Sequence, residues 1–194
     1  MITKIARSLA LGLVIAVTAV LPAGAVGTDW VETGDAGDTI ASAQPTSGAS
    51  PLNSISGGLD GALDDLVDMF ALIASSSDLT ASEAGTLTAS NQLFLFDSSG
   101  AVLFSDTTSL FMPSISASGL TVGATYYLAI SFFGVDPSGT YPTWNGTASD
   151  FGEYDIDLEG ADPAVQAVAE PATLMLLGSG LLGLGAAAWR RRRG

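Results

Sequence analysis

The stretch Gln92-Leu93-Phe94-Leu95-Phe96-Asp97-Ser98-Ser99-Gly100-Ala101-Val102-Leu103-Phe104-Ser105 decides the fold. Two runs of aliphatic and aromatic residues flank four small or polar ones. Asp first and Gly fourth suit a type I turn, and the flanking runs suit strands. The segment therefore reads as an antiparallel hairpin, Gln92 to Phe96 returning as Ala101 to Ser105. Towards the C-terminus, Ser114 to Ala117 is a weaker strand. Thr125 to Phe132 alternates, with Tyr127, Ala129 and Ser131 on one face and Tyr126, Leu128, Ile130 and Phe132 on the other. Residues 134–150 read as a Gly, Pro and Ser-rich loop containing Trp144, and Gly152 to Leu158 as a closing strand. Towards the N-terminus, Thr86 to Ala89 and Ile55 to Leu59 read as short strands. Between them the chain has two readings. Leu59, Leu63, Leu66, Phe70 and Ile73 fall at helical spacing, with Asp60, Asp64 and Asp68 on another face. Alternatively Gly61 to Asp65 is a turn and Leu66 to Ala74 a strand. Seven or so short strands separated by turns predict a mainly β protein, an antiparallel β-sandwich or jelly roll spanning 55–160. Residues 26–54 are expected as an irregular lead-in and 161–169 as a linker.

The two ends read differently. Lys4 and Arg7 precede an apolar run from Leu9 to Leu21, and Ala23-Gly24-Ala25 supplies small residues at a cleavage position. Residues 1–25 are expected to be a signal peptide, helical and removed by signal peptidase. At the other end, Ala172 to Trp189 carries no charge and is followed by Arg190, Arg191, Arg192 and Arg193. As a helix it would reach roughly 27 Å, close to the hydrocarbon thickness of a bilayer. The arginines act as a stop-transfer cluster, placing everything before Ala172 outside. Ala169-Glu170-Pro171 stands immediately ahead of the run.

The charge ledger is one-sided. Six basic residues and no histidine face 20 acidic ones, and every basic residue lies in residues 1–25 or 190–193. The segment between is exclusively acidic, which excludes nucleic-acid binding. It contains no Cys, His or Lys. Ser-His-Asp and Cys-His catalysis, Schiff-base chemistry and zinc sites of the usual ligands are excluded with them. Carboxylate chemistry of the glycosidase kind survives as the one enzymatic alternative, and the expectation is a protein that is not an enzyme. Hard cations take oxygen ligands, so calcium is the cofactor the composition suits, with Asp35, Asp38, Asp155 and Asp157 as candidate ligands. Asp155 and Asp157 sit at i and i+2 on one strand face. Among the aromatic residues Trp144 is the candidate glycan contact; the strand aromatics are expected in the core.

The C-terminal layout resembles the sorting signal of PEP-CTERM proteins: Ala169-Glu170-Pro171, the apolar run 172–189, then Arg190 to Arg193, with Ala169 where that signal has its first proline. The resemblance implies an exported bacterial protein that is membrane-anchored through its C-terminal helix until an exosortase-type protease processes it. It further implies a final place at the cell surface or in the extracellular matrix, in association with exopolysaccharide and biofilm. Residues 29–160 are similar to the bacterial pre-peptidase C-terminal domain. The likeness is carried by Asp35-Ala36-Gly37-Asp38, Val67-Asp68-Met69-Phe70, Leu93 to Asp97, Thr125 to Ile130 and Tyr154-Asp155-Ile156. It implies an accessory β-sandwich and favours the strand over the helix at 66–74. The family's Asp-x-Asp-x-Phe pattern is loosened here, Asp65 and Asp68 bracketing Leu66-Val67, and no role is carried over to that pair. Two roles follow as expectations, a structural or adhesive one and, alternatively, a carbohydrate-binding module for exopolysaccharide.

Overall fold

The hairpin is present, at one edge of one of the two main sheets. The computed structural model describes residues 26–84, 90–108, 112–139, 143–148 and 151–166. The signal helix 1–25, the strand expected at Thr86 to Ala89 and the membrane helix 172–189 lie outside these. Among the described residues no helix is long and apolar enough to cross a membrane. The strands in chain order are β1 Thr28–Val31, β2 Gln44–Pro45, β3 Ser47–Gly48, β4 Leu52–Asp60, β5 Val67–Ala74, β6 Asp78–Glu83, β7 Asn91–Phe96 and β8 Val102–Asp106. They continue as β9 Ser114–Ser118, β10 Thr125–Phe132, β11 Asp136–Ser138, β12 Thr143–Asn145, β13 Phe151–Glu159, β14 Ala161–Pro163 and β15 Val165–Gln166. One sheet runs β1-β4-β13-β6-β9; the other runs β14-β5-β10-β7-β8, with β2 also on β5.

Phe96 opens the turn and Val102 resumes pairing, with a register shift between Leu95 and Phe96. Asp97 organises the turn: its Oδ1 accepts from the Ser99 and Ala101 amides, and Gly100 N closes it onto the Asp97 carbonyl. The Ser99 hydroxyl, donating to the same Oδ1 at 2.6 Å, and after it these amide bonds favour the ionised form and hold the Asp97 carboxyl below its usual range. Gly100 has φ 87°, a conformation that suits glycine there.

The helical alternative at 59–73 is absent. A single 3-10 turn covers Gly61–Leu63, capped by the Asp60 side chain accepting from Ala62 N and ended by Asp64 in the left-handed conformation. From Val67 the chain is strand, central between β10 and the pair β14 and β2. A helix would bury one apolar stripe, whereas 67–72 is buried on both faces. Buried strands read as unbroken apolar runs, and such a run imitates helical spacing by chance.

Both faces are buried because the six-stranded sheet is covered twice. Its inner face meets the other sheet: Phe70 lies against Tyr154 at 6.3 Å between ring centres, and Leu93, Leu95, Leu128 and Ile130 are fully enclosed. Trp30, from β1, adds an edge contact to Phe70 at 5.5 Å. On the outer face Trp144 of the β11–β12 hairpin sits edge-on over Phe94 and Phe96 at 5.5 and 6.0 Å. The alternation read at 125–132 therefore separates two buried faces rather than a buried and a wet one. Full burial of each large side chain contributes about 1.5–3 kcal/mol.

Four expectations are corrected. The segment 26–54 is not irregular: it supplies β1, β2, β3 and the start of β4, and β1 and β2 enter the sheets as parallel neighbours of β4 and β5. The sandwich is consequently mixed, not wholly antiparallel. Residues 161–166, expected as linker, pair with β5 as β14 and with β3 as β15. The loop 134–150 contains the β11–β12 hairpin. Short polar strands carry little apolar signal, and their pairing is supplied by partners far away in sequence.

Candidate functional site

At the β4–β5 end of the sandwich, the segment after β1 and the start of β5 bring four carboxylates together. Glu32 follows β1, Asp35 lies in the bend beyond it, Asp65 precedes β5 and Asp68 is its second residue. Asp68 points inward and is fully buried. Its Oδ2 accepts from the Tyr154 hydroxyl at 2.7 Å, and its Oδ1 from Ala36 N at 3.4 Å. Glu32 Oε1 accepts from the same Ala36 N at 2.9 Å, while its Oε2 accepts from Gly58 N and stands 3.1 Å from the Tyr154 hydroxyl. Asp65 is fixed by a reciprocal backbone pair with Asp60, and its Oδ1 is buried with no hydrogen-bonding partner. Asp35 folds back on Gly37 N at 2.7 Å. Carboxylate oxygens of Asp35, Asp65 and Asp68 lie within 4.8 Å of one another. They adjoin an open pocket of about 320 Å³ lined by Asp35, Asp38, Asp64, Asp65 and Trp144.

The electrostatics follow from burial without a counter-charge. Residues 26–189 contain no Lys, Arg or His to neutralise the group. Burial pushes the Asp68 carboxyl up to about 8, helped by the negative charges of Glu32 and Asp65 and opposed by the Tyr154 hydrogen bond. Burial likewise raises Asp65 to about 6, with Asp35 and Glu32 adding repulsion. Burial, and then the neighbouring Asp68 and Glu32 charges, raise the Tyr154 phenol above its ordinary value, so it stays a donor. Such a cluster has two ways to reduce its repulsion: it takes up protons, or it takes a cation. Its oxygen-only ligand set is of the kind hard divalent cations use. Asp35, Asp65 and Asp68 are the residues able to hold one.

The sequence-derived candidates divide. Asp35 and Asp38 line the pocket, although Asp38 is exposed and contributes its backbone carbonyl to Trp144 Nε1. Asp155 and Asp157 are on the other sheet, exposed on the outer face of β13. Partial burial, and after it repulsion from Asp157 and Asp29, raises Asp155. They do not join the pocket. Trp144 lines the pocket while its ring packs on Phe94 and Phe96, so half of it is structural. Asp65 and Asp68 were absent from the candidate ligands. The available signal was an aspartate inside the apolar run Val67-Asp68-Met69-Phe70, since a charge in a buried strand requires partners. Ala169, Glu170, Pro171 and Arg190 to Arg193, like Ala23 and Ala25, lie outside the described residues.

Comparison with known proteins gives one sequence match and a fold likeness. Residues 167–193 match the PEP-CTERM protein-sorting motif. No curated protein matches the chain. Among solved structures the chain is similar to the pre-peptidase C-terminal domain of collagenase from Bacillus anthracis. The identity is 15%, coverage 59% of this chain and 96% of that one, and the TM-score 0.40. It is also similar to PliG, a periplasmic inhibitor of g-type lysozyme from Aeromonas hydrophila, at 10% identity, covering 61% and 98%, with a TM-score of 0.39.

Proposed function

We propose that the chain is an exported, non-enzymatic protein delivered to the cell surface or extracellular matrix, where its acidic β-sandwich has a structural or adhesive role in exopolysaccharide or biofilm. The observation that carries this is the sorting motif at 167–193, which implies export, transient membrane anchoring and processing by an exosortase-type protease. Each basic residue lies either in residues 1–25, removed by signal peptidase, or in the C-terminal segment that exosortase-type processing removes, so the mature form is exclusively acidic. The absence of His, Cys and Lys from residues 26–189 supports the non-enzymatic reading. Mass spectrometry of the secreted form tests delivery: the expected C-terminus lies near Glu170-Pro171, and a secreted chain still carrying Arg190 to Arg193 refutes processing.

The role is cation-dependent, with calcium held by Asp35, Asp65 and Asp68. The buried, unpartnered Asp65 Oδ1 and the lack of any counter-charge support this reading. Calcium should raise the melting temperature of the wild type more than that of Asp65→Asn; identical melting in chelator and in excess calcium refutes it. Trp144, on the wall of the same pocket, supports a second reading as an exopolysaccharide-binding module. Glycan-array binding that vanishes in Trp144→Ala while the variant still folds would favour that module, and binding to no glycan would exclude it.

A further inference from the structure

Outside the acidic pocket, one further carboxyl lies between the two sheets. On β6 the inward positions are Leu79, Ala81 and Glu83, and the third of these is a glutamate with 2% exposure. Across the interior, at the start of β7, Asn91 is 1% exposed. Asn91 Nδ2 donates to Glu83 Oε1 at 2.7 Å, joining the five-stranded sheet to the six-stranded one. One atom on each group is left over: Glu83 Oε2 and Asn91 Oδ1 are both buried and both without a hydrogen-bonding partner. While the carboxyl is ionised these are two acceptors and nothing to donate to them. A proton on Glu83 converts its carboxyl into a donor, and the amide oxygen of Asn91 is an acceptor in want of one.

We propose that Glu83 and Asn91 form a proton-operated clasp across the sandwich, closed by two reciprocal hydrogen bonds when Glu83 is the neutral acid and reduced to one when it ionises. The clasp joins the last residue of β6 to the first of β7. Surrounding charges do not set its response. Asp155 and Asp157 flank Ile156, the residue paired with Glu83, and are exposed on the opposite face of β13. Asp106, ending β8, accepts from Thr108 and Ser114. Burial raises the Glu83 carboxyl to about 7, against the opposing bond from Asn91. Because the folded value is raised, stability from this group is complete below its unfolded value near 4.5 and is lost as pH rises through about 7.

The test uses the full chain in detergent, with unfolding equilibria measured from pH 5 to pH 8. Glu83→Gln cannot ionise and offers the amide pair at every pH. Relative to this variant, the wild type is expected to lose on the order of a hundredfold in its folding equilibrium over that range. The exchanged pair Glu83→Gln with Asn91→Asp restores an acid to the clasp and should restore the pH dependence. Parallel pH curves for wild type and Glu83→Gln overturn the proposal. A second measurement needs no variant: in wild-type chain carrying 13C in its glutamate carboxyls, one resonance should titrate near pH 7. Titration of every glutamate below about pH 5.5, nearer the ordinary glutamate value, overturns it equally.

Discussion

Replacing Tyr154 by Phe removes one oxygen from the acidic cluster and leaves the core ring in place. The ring packs against Phe70, and Phe retains that contact. The hydroxyl is 2.7 Å from Asp68 Oδ2 and 3.1 Å from Glu32 Oε2. Without it Asp68 Oδ2 is a fully buried oxygen deprived of its one donor, which costs about 1–3 kcal/mol. The size depends on pH in a definite direction. The folded Asp68 carboxyl is raised to about 8, so its stability contribution is complete below 3.8 and lost as pH rises through 8. The Tyr154 bond opposes that rise, and deleting it pushes the folded value further up. The variant should therefore be destabilised by about 1 kcal/mol at pH 5, where Asp68 is neutral, and by about 3 kcal/mol at pH 8.5, where a bond to a charged group is lost. Urea unfolding at the two pH values, with chelator present, measures both. A variant equal in stability to the wild type at both, or one whose deficit shrinks as pH rises, would refute the assigned hydrogen bond and the buried state of Asp68.

Other outcomes follow from packing and backbone. Phe70→Ala empties the contact between the sheets and should cost about 3–5 kcal/mol in chemical denaturation. Gly160 has φ 81°, and a Cβ there would run into the Asp78 carbonyl at the β13–β14 corner, so Gly160→Ala should lower the unfolding midpoint more than Gly119→Ala, where nothing lies within 4 Å. Asp97→Ala removes the side chain that ties the hairpin turn. Because that carboxyl is held low, its stabilisation is present above 3.8 and lost as pH falls through its folded value, so the deficit of the variant should fade in acid. Hydrogen exchange should then find the β7–β8 turn amides less protected at pH 7.

Local chemistry was enough for the hairpin at 92–105, the strands at 55–59, 114–117, 125–132 and 152–158, and the motif at the C-terminus. In each, the residues that specify the element are the residues that form it. Asp97 and Gly100 make their turn within five residues, and apolar pattern marks strand wherever neighbours along the chain share its fate. The uncharged run 172–189 and its arginines are equally self-contained, because a sorting motif is read in linear order. The tertiary structure alone decided the rest. β1, β2, β14 and β15 are short, and three of them, β1, β2 and β15, are paired by parallel contacts that no turn announces. The acidic cluster is assembled from Glu32, Asp35, Asp65, Asp68 and Tyr154, separated by up to 122 positions in its hydrogen bonds. Composition could say that carboxylates lacked counter-charges; it could not say which would be buried together. Asp155 and Asp157, close in sequence, stay exposed on an outer face, while Asp68 is driven inward with its strand because its neighbours Met69 and Phe70 must be buried. Burial, not proximity along the chain, sets the chemistry of a carboxylate, and burial is a property of the packed sheets.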